Sequence, residues 1–284
     1  MLCIYHLADH DGKGSAAIVK SIYPETEFFG LNHGMEIPYH EIEKHDRVVV
    51  CDISLPMDYM FELNDKIELI WIDHHISVIE KYDAAVAKGA KPIKGLRRLG
   101  TAAIQLTWEY FYPDKPVPLG IELLAKNDIF DLTDKRVRPF EYAIQAVGVN
   151  DPQDEIWQDL LSGKVDVEEM VKGGERILSW IKLRNYSFVR FMAFESEIDG
   201  HKCICANMAR GYSEFFDSVE HLEKYDIMVN FYMNKDNLWN LTFYSSKENV
   251  DVSKIAAKFG GGGHKAAAGA SNLSELPAFL LKHL

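Results

Sequence analysis

Residues 71–77 read Trp-Ile-Asp-His-His-Ile-Ser, WIDHHIS, and this stretch decides how the chain folds. An apolar run, Ile67-Glu68-Leu69-Ile70-Trp71-Ile72, leads into it and ends on Asp73, His74 and His75. A run of that length, rich in β-branched and aromatic residues, reads as a buried strand. Open α/β sheets take their ligands at the carboxyl ends of their strands, where these three polar side chains fall. Taken alone, the same residues serve equally well as an aspartate helix cap followed by two surface histidines.

Working outward, the pattern repeats. Met1 to Ala8 is short and apolar and reads as a first strand; it runs into HLADHDGKGSAAIVKSIY from His6. Asp9, Asp11 and Gly12 are expected in a turn, and Ser15 to Ile22 in a helix, which is the opening of an α/β unit. Asp-rich turns also cap helices, so this segment alone is ambiguous. Thr26 to Leu31 reads as a short strand, followed by the polar loop Asn32-His33-Gly34. Arg47-Val48-Val49-Val50-Cys51 is a compact β-branched run that ends on Asp52. Three apolar strands therefore end in Asp9/Asp11, Asp52 and Asp73/His74/His75. Parallel strands joined by right-handed crossovers place all such ends on one edge of a sheet. Carboxylates gathered there repel and raise one another's pKa unless cations neutralise them. Oxygen ligands mixed with imidazole suit Mn²⁺, Mg²⁺ or Fe²⁺.

Further along, Arg97, Arg98, Gly100 and Thr101 lead into a helix expected over Ala102 to Phe111. That helix start reads either as an anion site or as a plain N-cap with solvated arginines. Another helix is expected from Leu119 to Lys126, closing on Asn127-Asp128-Ile129-Phe130-Asp131. Asp128 is the candidate ligand there, in competition with Asp131 and Asp134. Residues 151–185 are helical in pattern and read as a helical linker. From about residue 186 strand-like segments follow at Phe191–Ile198, Lys202–Asn207, Ile227–Met233 and Trp239–Tyr244. Within this second region, Phe259 to Gly269 reads FGGGGHKAAAG. Glycines allow close backbone approach to a phosphate, so Gly260, Gly261, Gly262, Gly263 and His264 read as a ligand loop rather than a hinge. Ala266, Ala267 and Ala268 are expected to form a helix packed behind it.

Composition sets the class. The 284 residues are 47% hydrophobic and 26% charged, the texture of a globular protein large enough for two domains. The net charge of −12 argues against broad duplex binding, which needs a basic face. No apolar run is long enough to span a bilayer, and the chain starts in a strand without a basic leader. The expected location is the cytoplasm, away from membranes. Cys3, Cys51, Cys203 and Cys205 form no zinc motif and read as buried free thiols. Cys203 and Cys205, if on a strand, are expected on opposite faces.

HxxDxDG at His6 to Gly12, Asp52 at a strand end, DHH at 73–75 and GGGGHxxAAG at 260–269 together resemble the DHH phosphoesterase superfamily. The nearer likeness is to the subfamily with a C-terminal DHH-associated type 1 domain. That group includes nanoRNase/pAp-phosphatase-like proteins, a bacterial single-strand exonuclease and cyclic-dinucleotide phosphodiesterases. The resemblance spans nearly the whole chain. It implies an α/β protein: a parallel-sheet catalytic domain over residues 1–150, a helical linker over 151–185 and a smaller α/β substrate-binding domain over 186–284.

It also implies two divalent ions, Mn²⁺ first and Mg²⁺ or Fe²⁺ as alternatives. His6, Asp9 and Asp52 would hold one; Asp11, Asp52, His74 and Asp128 would hold the other, with Asp52 bridging. His75 would face the substrate phosphate, and Asp73 would orient the histidines. Two ions about 4 Å apart lower the pKa of a shared water and so produce hydroxide at neutral pH. The implied substrate is a short single-stranded oligonucleotide or dinucleotide, its terminal phosphate met by the glycine loop and His264. Cyclic nucleotides, 3′-phosphoadenosine 5′-phosphate and polyphosphate are the alternative substrates, and a non-catalytic nucleotide-binding module is the alternative class. A homodimer is compatible with all of these. Two positions depart from the family pattern. His6 stands three residues before Asp9, where many relatives have four, and Ser245 holds the place of an arginine.

Overall fold

The computed structural model describes residues 1–149, 151–209 and 213–281. The chain separates into two units, Met1–Leu178 and Ser179–Leu284. In the first, strand β1 (Leu2–His6) is followed by helix α1 (His10–Ile22), β2 (Glu27–Leu31), α2 (Tyr39–Ile42), β3 (Arg47–Cys51), α3 (Met57–Lys66), β4 (Glu68–Ile72) and α4 (Ile76–Ala87). Five helices come next: α5 (Ala103–Phe111), α6 (Leu119–Asp128), α7 (Val137–Val147), α8 (Glu155–Leu161) and α9 (Val167–Met192). The unit boundary falls inside α9. The helical pattern therefore runs to Met192, seven residues beyond the expected 185, and the next strand begins at Ala193 instead of Phe191.

The four strands form an all-parallel sheet in the order β2-β1-β3-β4. Such strands are buried on both faces, and the alternation shows it. Leu2, Ile4, Val48, Val50, Leu69 and Trp71 share one core with Met60, Leu63 and Tyr82 of α3 and α4. Cys3, Tyr5, Val49, Cys51, Ile70 and Ile72 meet Ala16 and Val19 of α1 and Leu106 of α5 on the other. A third core joins α1, α5, α6, α7 and α8 around Trp157, Phe140 and Ile104. The strand order has a functional consequence. The chain leaves β1 toward β2 on one side and returns to β3 on the other, which makes a switch point between the carboxyl ends of β1 and β3. Ligands of open α/β sheets bind at such points.

The second unit carries β5 (Ala193–Ile198), β6 (His201–Asn207), β7 (Ile227–Met233), β8 (Trp239–Tyr244), α10 (Val252–Ala257), β9 (Gly262–Gly263), β10 (Ala267–Leu273) and α11 (Ala278–Leu281). Its sheet is mixed, in the order β5-β6-β7-β8-β10-β9, with β6 and β7 parallel and the other pairs antiparallel. Two expectations need correction here. Ala267 and Ala268 begin a strand, not a helix, because they pair with Tyr244 and Phe243 of β8. Cys203 and Cys205 lie on one face, both in the core with Val229, Phe231 and Phe243. Side chains alternate along a strand, so residues two apart share a face. All four cysteines are buried free thiols. Among the described residues no helix is long and apolar enough to cross a membrane.

Candidate metal centre

The carboxyl edge of the first sheet gathers the polar strand ends. Asp9 is the N-cap of α1, its Oδ1 accepting from the Gly12 N–H at 3.1 Å. Asp11 and Gly12 lie in the first helical turn and not in a loop, which corrects the expected turn. His6 Nδ1 stands 2.9 Å from Asp9 Oδ2 and 3.4 Å from Asp52 Oδ2. Across the switch point, His74 Nε2 is 3.2 Å from Asp52 Oδ1, 3.6 Å from Asp11 Oδ2 and 3.4 Å from Asp128 Oδ2. Asp52 thus presents one oxygen to each histidine. It sits directly after β3 with φ at +59°, a left-handed turn that aspartate tolerates better than most residues.

Three sets of side chains are close enough to hold an ion: His6, Asp9 and Asp52; Asp11, His74 and Asp128; and Asp52, His74 and His75. The first two are the sets expected from the sequence, apart from Asp52 as a shared member of the second. The third brings His75 into ligand range as well. Asp131 and Asp134, the competitors of Asp128, are engaged locally. Asp131 accepts from the Thr133 hydroxyl, and Asp134 pairs with Arg136 at 2.8 Å.

Asp73 is fully buried beneath the edge. Its Oδ1 accepts from the backbone N–H of His74 at 2.7 Å and of His75 at 3.0 Å, and lies 2.7 Å from His75 Nδ1. Its Oδ2 accepts from Trp71 Nε1 at 3.2 Å. One carboxylate therefore fixes both histidines and the strand that carries them. Burial works to raise the Asp73 pKa, but the His75 hydrogen bond and charge hold it below the ordinary carboxylate value. The same contact pushes the His75 pKa up to about 9. His74 is lowered instead, chiefly by burial, and so stays neutral and able to ligate.

The carboxylates tell the same story. Burial raises Asp52 to about 7, with the charges of Asp9 and Asp128 adding to it. Burial and the Asp11 charge raise Asp128 to about 8. Asp11 is raised by burial and by Asp52 and Asp9, despite two backbone hydrogen bonds. Against burial, the His6 contact holds Asp9 low. His6 itself rises to about 10 on its hydrogen bonds to Asp52 and Asp9. Asp11 and Asp52 are buried and Asp128 is partly exposed, and carboxylates that resist ionisation together are a donor set that divalent cations fit.

Two features escaped the sequence. Asp11 accepts from the Ala103 N–H at 2.9 Å and the Ile104 N–H at 2.6 Å, so it caps the start of α5 from 92 residues away. Of the two readings of that helix start, the anion site loses its ground: two first-turn donors are taken by the chain's own carboxylate, as the helix dipole favours. The nearby arginines are engaged too. Arg97 donates to the Trp71 carbonyl at 2.8 Å, and Arg98 pairs with Glu109 at 2.7 Å. No local signal marks the Asp11 contact. The second feature is the reason for Gly12. A Cβ there would stand 2.1 Å from the His6 carbonyl oxygen. Gly12→Ala should force α1 away from β1, costing about 1–3 kcal/mol by overpacking. Thermal melting and Mn²⁺ titration should both fall; an unchanged melting point and affinity would remove Gly12 from this account.

The expected substrate loop lies in the second unit. Gly262 and Gly263 pair with Gly269 and Ala268 in a hairpin closed by reciprocal bonds between His264 and Ala267, at 2.8 and 3.2 Å. Gly263 has φ at +142°, and a Cβ on it would stand 2.6 Å from the Ala268 Cα. The glycines thus have a structural reason as well, and the segment is an ordered hairpin, not a hinge. His264 is exposed at its turn. Ser245 is buried and donates to the Asp226 carbonyl at 2.7 Å.

No family model matches the chain. An uncharacterised protein of Acanthamoeba polyphaga mimivirus is 22% identical over 295 residues, covering 94% of this chain and 66% of that protein. The chain thus spans just under two thirds of the length of this relative. The pGpG-specific phosphodiesterase PggH of Vibrio cholerae superposes with a TM-score of 0.55 at 12% identity, over 96% of this chain and 93% of its own. The two proteins share a fold. RecJ of Thermus thermophilus, solved with Mn²⁺, also aligns, with a TM-score of 0.47 at 14% identity over 95% of this chain and 49% of its own.

Proposed function

We propose that the chain is a metal-dependent phosphoesterase that hydrolyses phosphodiester bonds of short single-stranded oligonucleotides or dinucleotides. The observation that carries the reading is the meeting of His6, Asp9, Asp11, Asp52, His74 and Asp128 at one sheet edge, with Asp52 facing both histidines. Sharing a fold with a pGpG-specific phosphodiesterase supports the substrate class. Two divalent ions, Mn²⁺ first, would be held by the two sets with Asp52 common to both, and bound there they supply Lewis acidity and a water acidified to neutral pH.

The chain's own groups do the rest. Asp73 occupies His75 Nδ1, which leaves Nε2 on a side chain 42% exposed. The Asp73 contact raises the His75 pKa, and the ring's remaining N–H can donate to a non-bridging phosphoryl oxygen as negative charge builds on it. Neutral His74 keeps its Nε2 lone pair for an ion. In the second unit, His264, exposed at the turn of the glycine hairpin, offers an imidazole to a terminal phosphate. The net charge of −12 favours short substrates over a long duplex.

The test is hydrolysis by purified protein with Mn²⁺, resolved by chromatography with a chelator control. Substrates are 5′-phosphorylated RNA from 2 to 24 nucleotides, linear and cyclic dinucleotides, 3′-phosphoadenosine 5′-phosphate and polyphosphate. Metal-dependent release of mononucleotides, fastest from the shortest RNA, is the expected result. Cleavage of polyphosphate alone would replace the substrate class, and nucleotide binding without any cleavage would leave a binding module.

A further inference from the structure

The segment after Asp128 places an unusual residue in a left-handed position. Helix α6 ends with the Phe130 N–H donating to the Asn127 carbonyl at 3.1 Å and the Asp131 N–H to the Lys126 carbonyl at 2.8 Å. This Schellman pattern requires a left-handed residue where Phe130 stands, and glycine is its usual occupant. Phe130 adopts φ +59°, an outlier for a bulky side chain. Burial does not offset the strain, because the residue is 64% exposed. Its neighbours Ile129 and Leu132 are also exposed, at 36% and 37%. The Arg138 guanidinium of α7 lies over the ring, 5.1 Å from its centroid, so one face of the aromatic is backed by a cation. The cap requires the left-handed turn but not an exposed phenylalanine in it; strained residues gather at functional sites, and this one follows a side chain of the metal centre by two positions.

The geometry points to Phe130, backed by Arg138, as a stacking platform for a nucleobase of the substrate. The inference rests on the phosphoesterase reading and narrows it. An exposed aromatic face stacks on any base and discriminates little between sequences. Polyphosphate has nothing to stack, so a platform here selects nucleotides over base-free phosphates. It also suits the shortest substrates, in which one stacked base is a large share of the contact.

The experiment measures binding, so it does not depend on turnover. Adenosine 5′-monophosphate and ribose 5-phosphate are titrated calorimetrically into the Mn²⁺-loaded full chain, as wild type, Phe130→Gly and Phe130→Trp. Wild type should prefer the nucleotide by about 10-fold, the scale of one base stacked on one ring. Phe130→Gly should lose that preference and bind ribose 5-phosphate as before. Its melting temperature should hold or rise, since glycine relieves the left-handed position, and this excludes misfolding as the cause. Phe130→Trp should restore the preference. A wild type without preference, or without measurable binding, overturns the platform, as does a preference that survives in Phe130→Gly. If the preference depends on Phe130 but only polyphosphate is cleaved, the platform stands and the substrate reading falls. If dinucleotides are cleaved and Phe130→Gly keeps the preference, the platform alone falls.

Discussion

Replacing Asp52 with asparagine is expected to abolish metal-dependent hydrolysis and, at the same time, to raise the melting temperature of the metal-free protein. Asp52 is 2% exposed, and its two oxygens stand 3.4 Å from His6 and 3.2 Å from His74. Burial and the neighbouring carboxylates Asp9 and Asp128 push its pKa to about 7. Near neutral pH its charge is therefore a liability to the fold without a cation. Asparagine keeps the shape, still accepts a hydrogen bond and tolerates φ of +59°. It removes the charge that an ion needs.

Losing an outer partner of a metal ligand costs about 10–100-fold in affinity or activity. Loss of a shared ligand should exceed that, and the Mn²⁺-induced rise in melting temperature should disappear. Asp52→Ala should lose activity equally but gain less stability, because alanine in a left-handed turn costs roughly 1–2 kcal/mol. Two results would sink the assignment: full metal content with activity retained, or a metal-free Asp52→Asn protein that melts below wild type.

How far the sequence reaches can be judged at this same edge. Asp52 and Asp73 were legible because each closes an apolar run buried on both faces, and a parallel sheet leaves such ends on one side. The order β2-β1-β3-β4 was not, since nothing local in Val48 to Val50 names its neighbours, yet that order creates the switch point. Asp11 looked like a loop ligand because Asp9 and Gly12 around it are turn residues; the carboxylate instead caps a helix distant in sequence. Ala267 and Ala268 favour helix by propensity, but pairing with β8 overrides it. Phe130 escaped for the opposite reason. The cap position it holds is recognised from sequence by glycine, and a phenylalanine there gives no signal until its φ is known.

Without metal, the protein should lose stability as the pH rises from about 4.5 to 8.5, against the usual trend for a fold held by ionised carboxylates. The sign follows from each group. Asp52, Asp128 and Asp11 all have folded pKa values above the unfolded one, the first two at about 7 and about 8. Between the unfolded value near 4 and those folded values, the native state holds protons that the unfolded chain has released, so raising the pH favours unfolding. His6 and His75, raised to about 10 and about 9, act in the same direction from about pH 6.5 upward. His74 is lowered and opposes them as the pH passes its unfolded value. Asp9 and Asp73 are lowered too, but their stabilisation is lost only in acid below this window.

Three carboxylates and two histidines against one histidine leave a net fall, expected to reach several degrees at roughly 2–4 °C per kcal/mol. Divalent ions reverse the relation. Binding requires the deprotonated carboxylates and releases their protons, so affinity climbs with pH as the metal-free protein weakens. Melting curves in EDTA and in Mn²⁺ should therefore nearly coincide at pH 4.5 and diverge steadily toward pH 8.5. A chelated protein as stable at pH 8.5 as at pH 4.5 would mean that these acids do not face one another unneutralised, and the case for a cation centre at this edge would lose its electrostatic basis.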